Sequence, residues 1–306
     1  MDTGILFSDS KGVYKPRIEK NKTKLLQKLG FLAKFLDADE KITLVTTGCS
    51  PFTSLEQLTI GAAWVVIIKR ALFVFTNKRL FHIPVTSSFK YRGSVAQILY
   101  RDCRGLFVKG SALVAEYHDG GKDKFLYIPG CDRAVIKKLV FQVDESARPS
   151  DSPRRNHLCP NCTQVLPAGA DACPACGLGF KNKATARKYS LLFPGGGYFY
   201  TNHPFIGIGD ALGESYLLLF TLGCLISGLL GDPRSWPVAI VFALVLTIEK
   251  LVTIYHSNSF LAEFIPKNLK AVLSGQISPA KPMEPLPPME EVPQRRLRTE
   301  DILSIR

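Results

Sequence analysis

The spacing of apolar and polar residues divides the chain into segments with different periods. Residues 21–36 place leucines at helical spacing with lysines between them, which predicts an amphipathic helix. From residue 41 to 128 the pattern changes to short β-branched and aromatic runs broken by Asn- and Gly-containing turns. These runs, including the one at 63–70, predict strands. Apolar positions at 132–144 then predict a closing helix with Asp132 as its N-cap.

Two long apolar stretches follow in the second half of the chain. Extended to 211–230 and 236–255, each is about 20 residues long, enough to cross the ~30 Å hydrocarbon layer of a bilayer at ~1.5 Å per residue. The turn between them is short, so the helices should be antiparallel. The pattern therefore predicts a transmembrane α-helical hairpin whose two outer ends lie on the same side.

Small residues recur every four positions along both stretches. Gly223, Ser227 and Gly231 share one face of the first helix, and Ala239 and Ala243 share one face of the second. Small side chains let membrane helices approach closely, so these positions are predicted to form the helix contact.

Two charged residues interrupt the apolar pattern near the outer ends of the hairpin. Glu214 lies at the start of the first stretch, and Lys250 lies near the end of the second. In an antiparallel hairpin both reach the same depth, so we expect an ion pair that lowers the cost of burying each charge.

Composition and the distribution of charge predict how the hairpin is oriented in the membrane. The chain has 306 residues, of which 46% are hydrophobic and 21% charged, and this excludes a mainly disordered chain. The net charge is +13, yet residues 191–260 carry only 2 basic and 4 acidic side chains. The basic residues that flank the hairpin are Lys181, Lys183, Arg187, Lys188, Lys267 and Lys270. By the positive-inside rule, we expect a two-pass protein of the inner (cytoplasmic) membrane with both termini in the cytoplasm.

Four of the eight cysteines form two Cys-x-x-Cys pairs, Cys159/Cys162 and Cys173/Cys176. Two such turns can direct four thiolates at one ion, and the closed tetrahedral shell suits a single structural Zn²⁺. An iron site or redox pairs would use the same residues and stay open as alternatives. The N-terminus shows no secretory signal, which favours metal binding over disulfides.

Three segments resemble known families. Residues 72–84 (LFVFTNKRLFHIP) resemble the strand–turn–strand hairpin of bacterial PH-like and GRAM-like domains, which implies an α+β bent barrel with a capping helix over 38–145. Residues 159–180 resemble the zinc-ribbon family, with Thr163 where that family usually has Gly. Residues 190–207 resemble the entry segment of TM2-type membrane modules.

These features predict a multidomain chain. Its parts are an N-terminal segment with a basic amphipathic helix (1–37), a PH-like domain (38–145), a linker (146–158), a zinc ribbon (159–180), a basic collar with a two-helix membrane module (181–273) and a Pro-rich disordered tail (274–306).

Basic residues of the N-terminal half are the candidate contacts with an anionic membrane lipid or a protein partner. They are Lys22, Lys24, Lys28, Lys34, Arg70, Lys78 and Arg79. Near an anionic leaflet each would add about 1 kcal/mol of attraction, and a merely solvated basic face is the competing interpretation.

The leading functional hypothesis is a non-enzymatic, membrane-tethered binding or scaffold unit, because we can place no nucleophile, general base or nucleotide loop. One alternative is an accessory subunit of a transport or secretion assembly. Another is a membrane-tethered zinc-ribbon regulator of nucleic acid. The absence of Lys and Arg from 159–180 argues against nucleic acid, because phosphate contacts require basic side chains.

Overall fold

The computed structural model describes residue 7 and residues 13–138 and 154–274. The helices are α1 (Pro16–Gln27), α2 (Ser54–Ile60), α3 (Ala62–Ile68), α4 (Gly130–Lys138), α5 (Lys183–Leu192), α6 (Gly196–Tyr200), α7 (Pro204–Leu229), α8 (Ser235–Leu261) and α9 (Leu269–Ser274). The strands are β1 (Ile42–Cys49), β2 (Arg70–Thr76), β3 (Arg79–Pro84), β4 (Val95–Leu99), β5 (Cys103–Lys109), β6 (Ala112–Tyr117), β7 (Lys122–Phe125) and β8 (Asn156–Leu158). The predicted Pro-rich tail beyond residue 274 lies outside the described residues.

Two antiparallel sheets form the N-terminal part of the molecule. Within the described residues, one sheet has the strand order β1-β2-β3-β4-β8 and the other has the order β5-β6-β7. Their facing side chains make one core, which α4 closes with Val135 and Ile136. The largest buried side chains of this core include Phe73, Phe75, Tyr117 and Phe125. The chain is thus an α+β protein with antiparallel sheets in this region.

The larger sheet is buried on both faces, which explains the unbroken apolar run of β2. Ala71, Phe73 and Phe75 point toward the smaller sheet. Leu72 and Val74 point to the opposite face, because successive side chains of a strand alternate. Side chains from α1 and the 3₁₀ turn after it cover that face.

The predicted helix at 21–36 differs from the observed structure. Helix α1 ends at Gln27, and a 3₁₀ helix follows over Gly30–Phe35. Leu29, Leu32 and Phe35 are all buried, and their spacing of three matches the three residues per turn of a 3₁₀ helix. The leucine spacing is therefore compatible with both helix types, and Gly30 disfavours continuing the α-helix.

The predicted strand at 63–70 is wrong, because most of it is helix α3. A capping box opens the preceding helix α2: the backbone N–H of Glu56 donates to Thr53 Oγ1, and the backbone N–H of Thr53 donates to Glu56 Oε2. Gly61, at φ 87°, separates α2 from α3. The strand begins only at Arg70.

The predicted closing helix begins before Asp132, which is therefore not its N-cap. Helix α4 starts at Gly130, and residues 139–144 lie outside the described part. The Asp132 carboxylate instead accepts hydrogen bonds from Lys22 Nζ (2.9 Å) and Thr46 Oγ1 (2.6 Å). This buried pair joins α1, β1 and α4.

Strand β8 occupies the end of the stretch predicted as a linker. Asn156–Leu158 pairs with β4, with Val95 opposite Leu158. The segment that leads to the first Cys pair is thus a strand of the larger sheet. The cysteine module continues directly from that sheet.

The two predicted apolar helices are present and longer than expected. Helix α7 has 26 residues and α8 has 27, so each spans about 40 Å at ~1.5 Å per residue. Both are long and apolar enough to cross a membrane. The five residues between them form the tight antiparallel turn.

Candidate metal centre

Two similar turns hold the four cysteines of the centre. In the first, the backbone N–H of Thr163 donates to Cys159 O (3.0 Å), and in the second the N–H of Gly177 donates to Cys173 O (2.9 Å). Thr163 has φ 64° and Gly177 has φ 69°, so both turns need a left-handed residue at the same place. Glycine adopts this conformation without steric cost, and Thr163 does not.

The four sulfur atoms converge on one point. Cys159 Sγ lies 3.5 Å from Cys176 Sγ, and Cys162 Sγ lies 3.5 Å from Cys173 Sγ. Tetrahedral metal–thiolate bonds of about 2.3 Å place sulfurs a little under 4 Å apart, so the donor set fits a four-coordinate ion. The four cysteines therefore form a candidate metal site.

Burial raises the pKa of the Cys159 and Cys162 thiols, whereas the pKa of Cys176 is lowered. Burial raises the pKa of Cys176, but the backbone N–H of Leu178 and neighbouring groups outweigh it and bring that pKa to about 7. Lys34 Nζ donates to the carbonyl of Pro160 in the first turn. A thiolate-rich centre carries negative charge, which this nearby ammonium offsets.

The centre packs against the chain that leaves α8. Leu166, Leu178 and Phe180 are buried with the cysteines, and Phe264 packs on this cluster. The rings of Phe180 and Phe264 meet edge to face at 5.5 Å. The backbone N–H of Lys181 donates to Ile265 O (2.9 Å). The cysteine module is thus joined to the sheet at one end and to the base of the helical hairpin at the other.

Glu214 and Lys250 lie together at the base of the hairpin. Lys250 Nζ is 2.6 Å from Glu214 Oε2, which also accepts from the backbone N–H of Gly195 (3.0 Å). Lys250 donates a second hydrogen bond to Ser190 O (2.7 Å). Asp210 and Glu249 lie beside Glu214, with carboxylate oxygens within 4.8 Å of one another. The pair therefore connects α7 and α8 to the segment before them.

The structure moves the close contact between the helices away from two predicted glycines. A Cβ at Gly223 would meet nothing within 4 Å, and Gly231, at φ 108°, lies in the turn after α7. Gly228 is the glycine that packs closely, against the ring of Trp236. Ser235 Oγ donates to Ser227 Oγ (3.0 Å).

The two predicted alanines of α8 differ in burial. Ala239 is buried, whereas Ala243 is half-buried. The helix contact therefore does not follow the whole predicted stripe, and α7 and α8 also meet farther from the turn, at Phe220–Phe242 and at Glu214–Lys250.

Several of the predicted lipid-contact residues have partners inside the chain. Lys22 is buried against Asp132. Arg79 Nη2 lies 2.6 Å from Glu40 Oε2, and Lys78 Nζ lies 2.6 Å from Asp39 Oδ1. Lys22 and Arg79 are therefore not available as a free basic face, whereas Lys78 forms a surface ion pair.

The remaining predicted basic residues are differently placed. Lys24 is exposed on α1. Lys28 Nζ donates to Ser88 O (2.7 Å), and Arg70 Nη1 donates to Ser87 O (2.8 Å). Lys28 and Arg70 both lie over the ring of Phe89. These two cations therefore flank one loop, between β3 and β4.

A buried polar group that the sequence analysis did not identify joins the sheet to the end of α8. His82 Nε2 lies 2.8 Å from Ser50 Oγ, and Arg155 Nη1 lies 3.3 Å from His82 Nδ1. The carboxylate of Glu263 lies 4.0 Å from His82 Nδ1. Burial raises the pKa of Glu263, but His82 and Arg155 outweigh it and hold that pKa at about 2. The four residues come from distant parts of the chain, so no local signal could have found them.

Comparisons of the chain with protein families, with curated proteins and with solved structures found no match.

Proposed function

We propose that this chain is a non-enzymatic integral membrane protein that holds a PH-like domain and a zinc ribbon at the cytoplasmic face of the inner membrane, as a tethered binding or scaffold unit. The observation that carries the proposal is the apolar surface of α7 and α8. The core helices of soluble proteins are mostly buried, whereas 11% of the most apolar window of each helix is buried here. Helices of this length and hydropathy, with most of their surface exposed, suit the hydrocarbon layer of a bilayer.

The charges around the hairpin support its orientation. Lys181 and Lys183 precede it and Lys267 follows it, whereas the turn between α7 and α8 has Arg234 beside Asp232. Under the positive-inside rule, the turn faces away from the cytoplasm. The sheets and the cysteine module then lie in the cytoplasm, where thiols stay reduced and able to bind metal.

Zinc is the metal that the cysteine centre suits best. Cys159, Cys162, Cys173 and Cys176 would be its ligands, and a bound Zn²⁺ would supply a rigid cross-link with no open position for substrate. The centre lies between β8 and the chain after α8. We therefore assign the metal a structural role at the joint between the sheet and the hairpin.

The arrangement of the sheets supports the PH-like assignment. The positions of the basic side chains reduce the number of candidate contacts with lipid. Two antiparallel sheets closed by a helix are the expected architecture of that domain. Lys28 and Arg70 flank the loop at residues 86–90, and this loop shares a cavity with Phe205 at the start of α7. We propose these two cations, rather than Lys22 or Arg79, as the contacts with an anionic leaflet.

Cysteine labelling from outside the cell tests the anchoring and its orientation. Arg234 is exposed in the turn between the helices, and the native Cys131 is exposed near the start of α4. With a membrane-impermeant maleimide on spheroplasts, we expect Arg234→Cys to label in intact cells. The unsubstituted chain should label only after lysis, and it serves as the matched control.

Two results would contradict the proposal. If the native chain labels in intact spheroplasts, the orientation is inverted. If Arg234→Cys labels only after lysis, and the protein is released by alkaline carbonate, the hairpin does not cross the membrane.

A further inference from the structure

Helices α2 and α3 form an insertion into a basic domain, and Glu56, the one charged side chain in the two helices, is buried. They lie between β1 and β2, and residues 57–68 (QLTIGAAWVVII) contain no charged side chain. Residues 1–150, in contrast, carry 24 basic and 14 acidic side chains. An uncharged apolar run on the surface of a charged domain indicates that an apolar medium or partner contacts this surface.

The outer face of this insertion is apolar and exposed. Leu58 is 81% exposed and Trp64 is 55% exposed, and Leu55 and Ile67 are exposed as well. The inner face holds Val65 and Ile68, which are buried against the rest of the molecule. The insertion is therefore amphipathic, and its apolar outer side has no partner among the residues that the structure describes.

Specific polar contacts fix the insertion to the last turns of α8. Thr53 Oγ1 lies 2.8 Å from Tyr255 Oη, and Thr59 Oγ1 lies 2.8 Å from His256 Nε2. Ser259 Oγ donates to Glu56 Oε1 (2.6 Å). Lys69 Nζ pairs with the same glutamate at 2.8 Å. The insertion cannot move away from the hairpin without breaking the hydrogen bonds to Tyr255, His256 and Ser259.

The exposed apolar surface continues from the insertion onto the hairpin. Trp64 and Phe205 line the same two cavities, of about 450 and 420 Å³. Phe205 lies in the first turn of α7 and is 81% exposed. A bilayer that covers the exposed face of α7 from its first turn therefore reaches Trp64 as well.

We infer that the outer face of α2 and α3 lies in the interfacial layer of the bilayer, with Leu58 and Trp64 inserted beside the membrane-spanning hairpin. Trp side chains favour this layer, because the ring is apolar and its N–H can bond to water or headgroups. The inference rests on the proposed membrane anchoring. It means that the sheet domain contacts the bilayer surface directly, in addition to being tethered to it by the hairpin. Its position relative to the membrane is then fixed at a second point.

Tryptophan fluorescence can test this position directly, because the chain has only two tryptophans, Trp64 and Trp236. Trp236→Phe leaves Trp64 as the sole reporter, and Trp64→Phe leaves Trp236, which lies in the first turn of α8. The full-length variants are reconstituted in phosphatidylcholine vesicles with or without bromine on the upper acyl chain. Acrylamide in the water measures exposure to solvent.

We expect brominated lipid to quench Trp64 to an extent comparable with Trp236, and acrylamide to quench Trp64 weakly. If brominated lipid quenches Trp236 but leaves Trp64 unchanged, the inference is overturned and the membrane anchor stands. The inference is overturned in that case whether acrylamide quenches Trp64 or a protein, such as a second copy of the chain, covers it. If neither tryptophan responds to brominated lipid, the proposed anchoring fails as well.

Discussion

His82 is fully buried on β3, where its ring packs beside those of Phe73 and Phe125. Burial lowers its pKa to about 3, although the carboxylate of Glu263 partly opposes this effect. The imidazole therefore stays neutral in the folded protein at any ordinary pH. Its neutral ring can then share a hydrogen bond with Ser50 Oγ.

This burial predicts a dependence of stability on pH. Below an unfolded pKa of about 6.5 the unfolded chain binds a proton at His82, whereas the folded chain does not until about 3. The stability from this residue is complete above about pH 6.5 and is lost as the pH falls, by up to about 1.4 kcal/mol per pH unit. Removing the imidazole should remove this part of the dependence.

Urea unfolding of His82→Gln and of the natural chain, in mild detergent from about pH 7 to about pH 5, measures the effect. We expect the difference between their free energies of unfolding to become smaller as the pH falls. Parallel curves for His82→Gln and the natural chain would contradict the prediction.

Single residues also mark the limit of what the sequence could predict. The two Cys-x-x-Cys pairs are local, so their spacing was enough to predict that four sulfurs meet. Lys22 and Arg79 looked like free cations, because Asp132 is 110 residues from Lys22 and Glu40 is 39 residues from Arg79. Pairing across such distances depends on the tertiary fold, and periodicity carries no information about it.

At the scale of elements, the glycine run before α7 is a packing point of the hairpin base. Gly195 has φ 66° and caps α6 with a left-handed residue. A Cβ at Gly196 would overlap the backbone carbonyl of Tyr189, and one at Gly197 would overlap Ser190 and Ser257. Helices α5, α6 and α8 approach this closely because these positions lack side chains.

We predict that Gly196→Ala destabilises the chain by about 1–3 kcal/mol, because backbone atoms must shift to admit the methyl group. The thermal unfolding midpoint in detergent measures the loss. Gly209→Ala is the matched control: it lies in α7, and its added Cβ would meet nothing within 4 Å. Equal midpoints for the two variants would show that the close packing at Gly196 is not maintained in solution.

The long apolar helices, which the sequence pattern alone defines, were the easiest elements to predict. The apolar stretches at 211–230 and 236–255 lie within α7 and α8, apart from the turn residue at 230. The strand prediction for residues 63–70 was wrong, because a short apolar run with β-branched residues is compatible with a strand and with a buried helix equally. Thr53 and Glu56, three residues apart, were the local signal that could have decided for a helix.

At the scale of the whole molecule, the cysteine centre is one of several points that connect the sheets to the base of the hairpin. It follows β8 directly and packs on Phe264 after α8. Loss of the metal should therefore loosen both the edge of the larger sheet and the base of the hairpin. A closed four-thiolate site usually contributes directly to folding energy.

We predict about one zinc ion per chain in the protein purified in detergent, measured by elemental mass spectrometry. Cys159→Ser should lose most of this zinc and should unfold at a lower temperature. The exposed Cys131→Ser is the matched control and should retain both the metal and the unfolding temperature. Iron in place of zinc, or unchanged zinc in Cys159→Ser, would contradict the assignment.

Strand β8 has a consequence for the order in which the chain is synthesised. It covers the edge of β4, yet it is made after the whole smaller sheet. Until residue 158 leaves the ribosome, β4 presents unpaired backbone groups that can pair with another nascent chain. A truncated chain that ends before β8 would keep this edge open permanently. Such a fragment would be the form of the protein most inclined to aggregate.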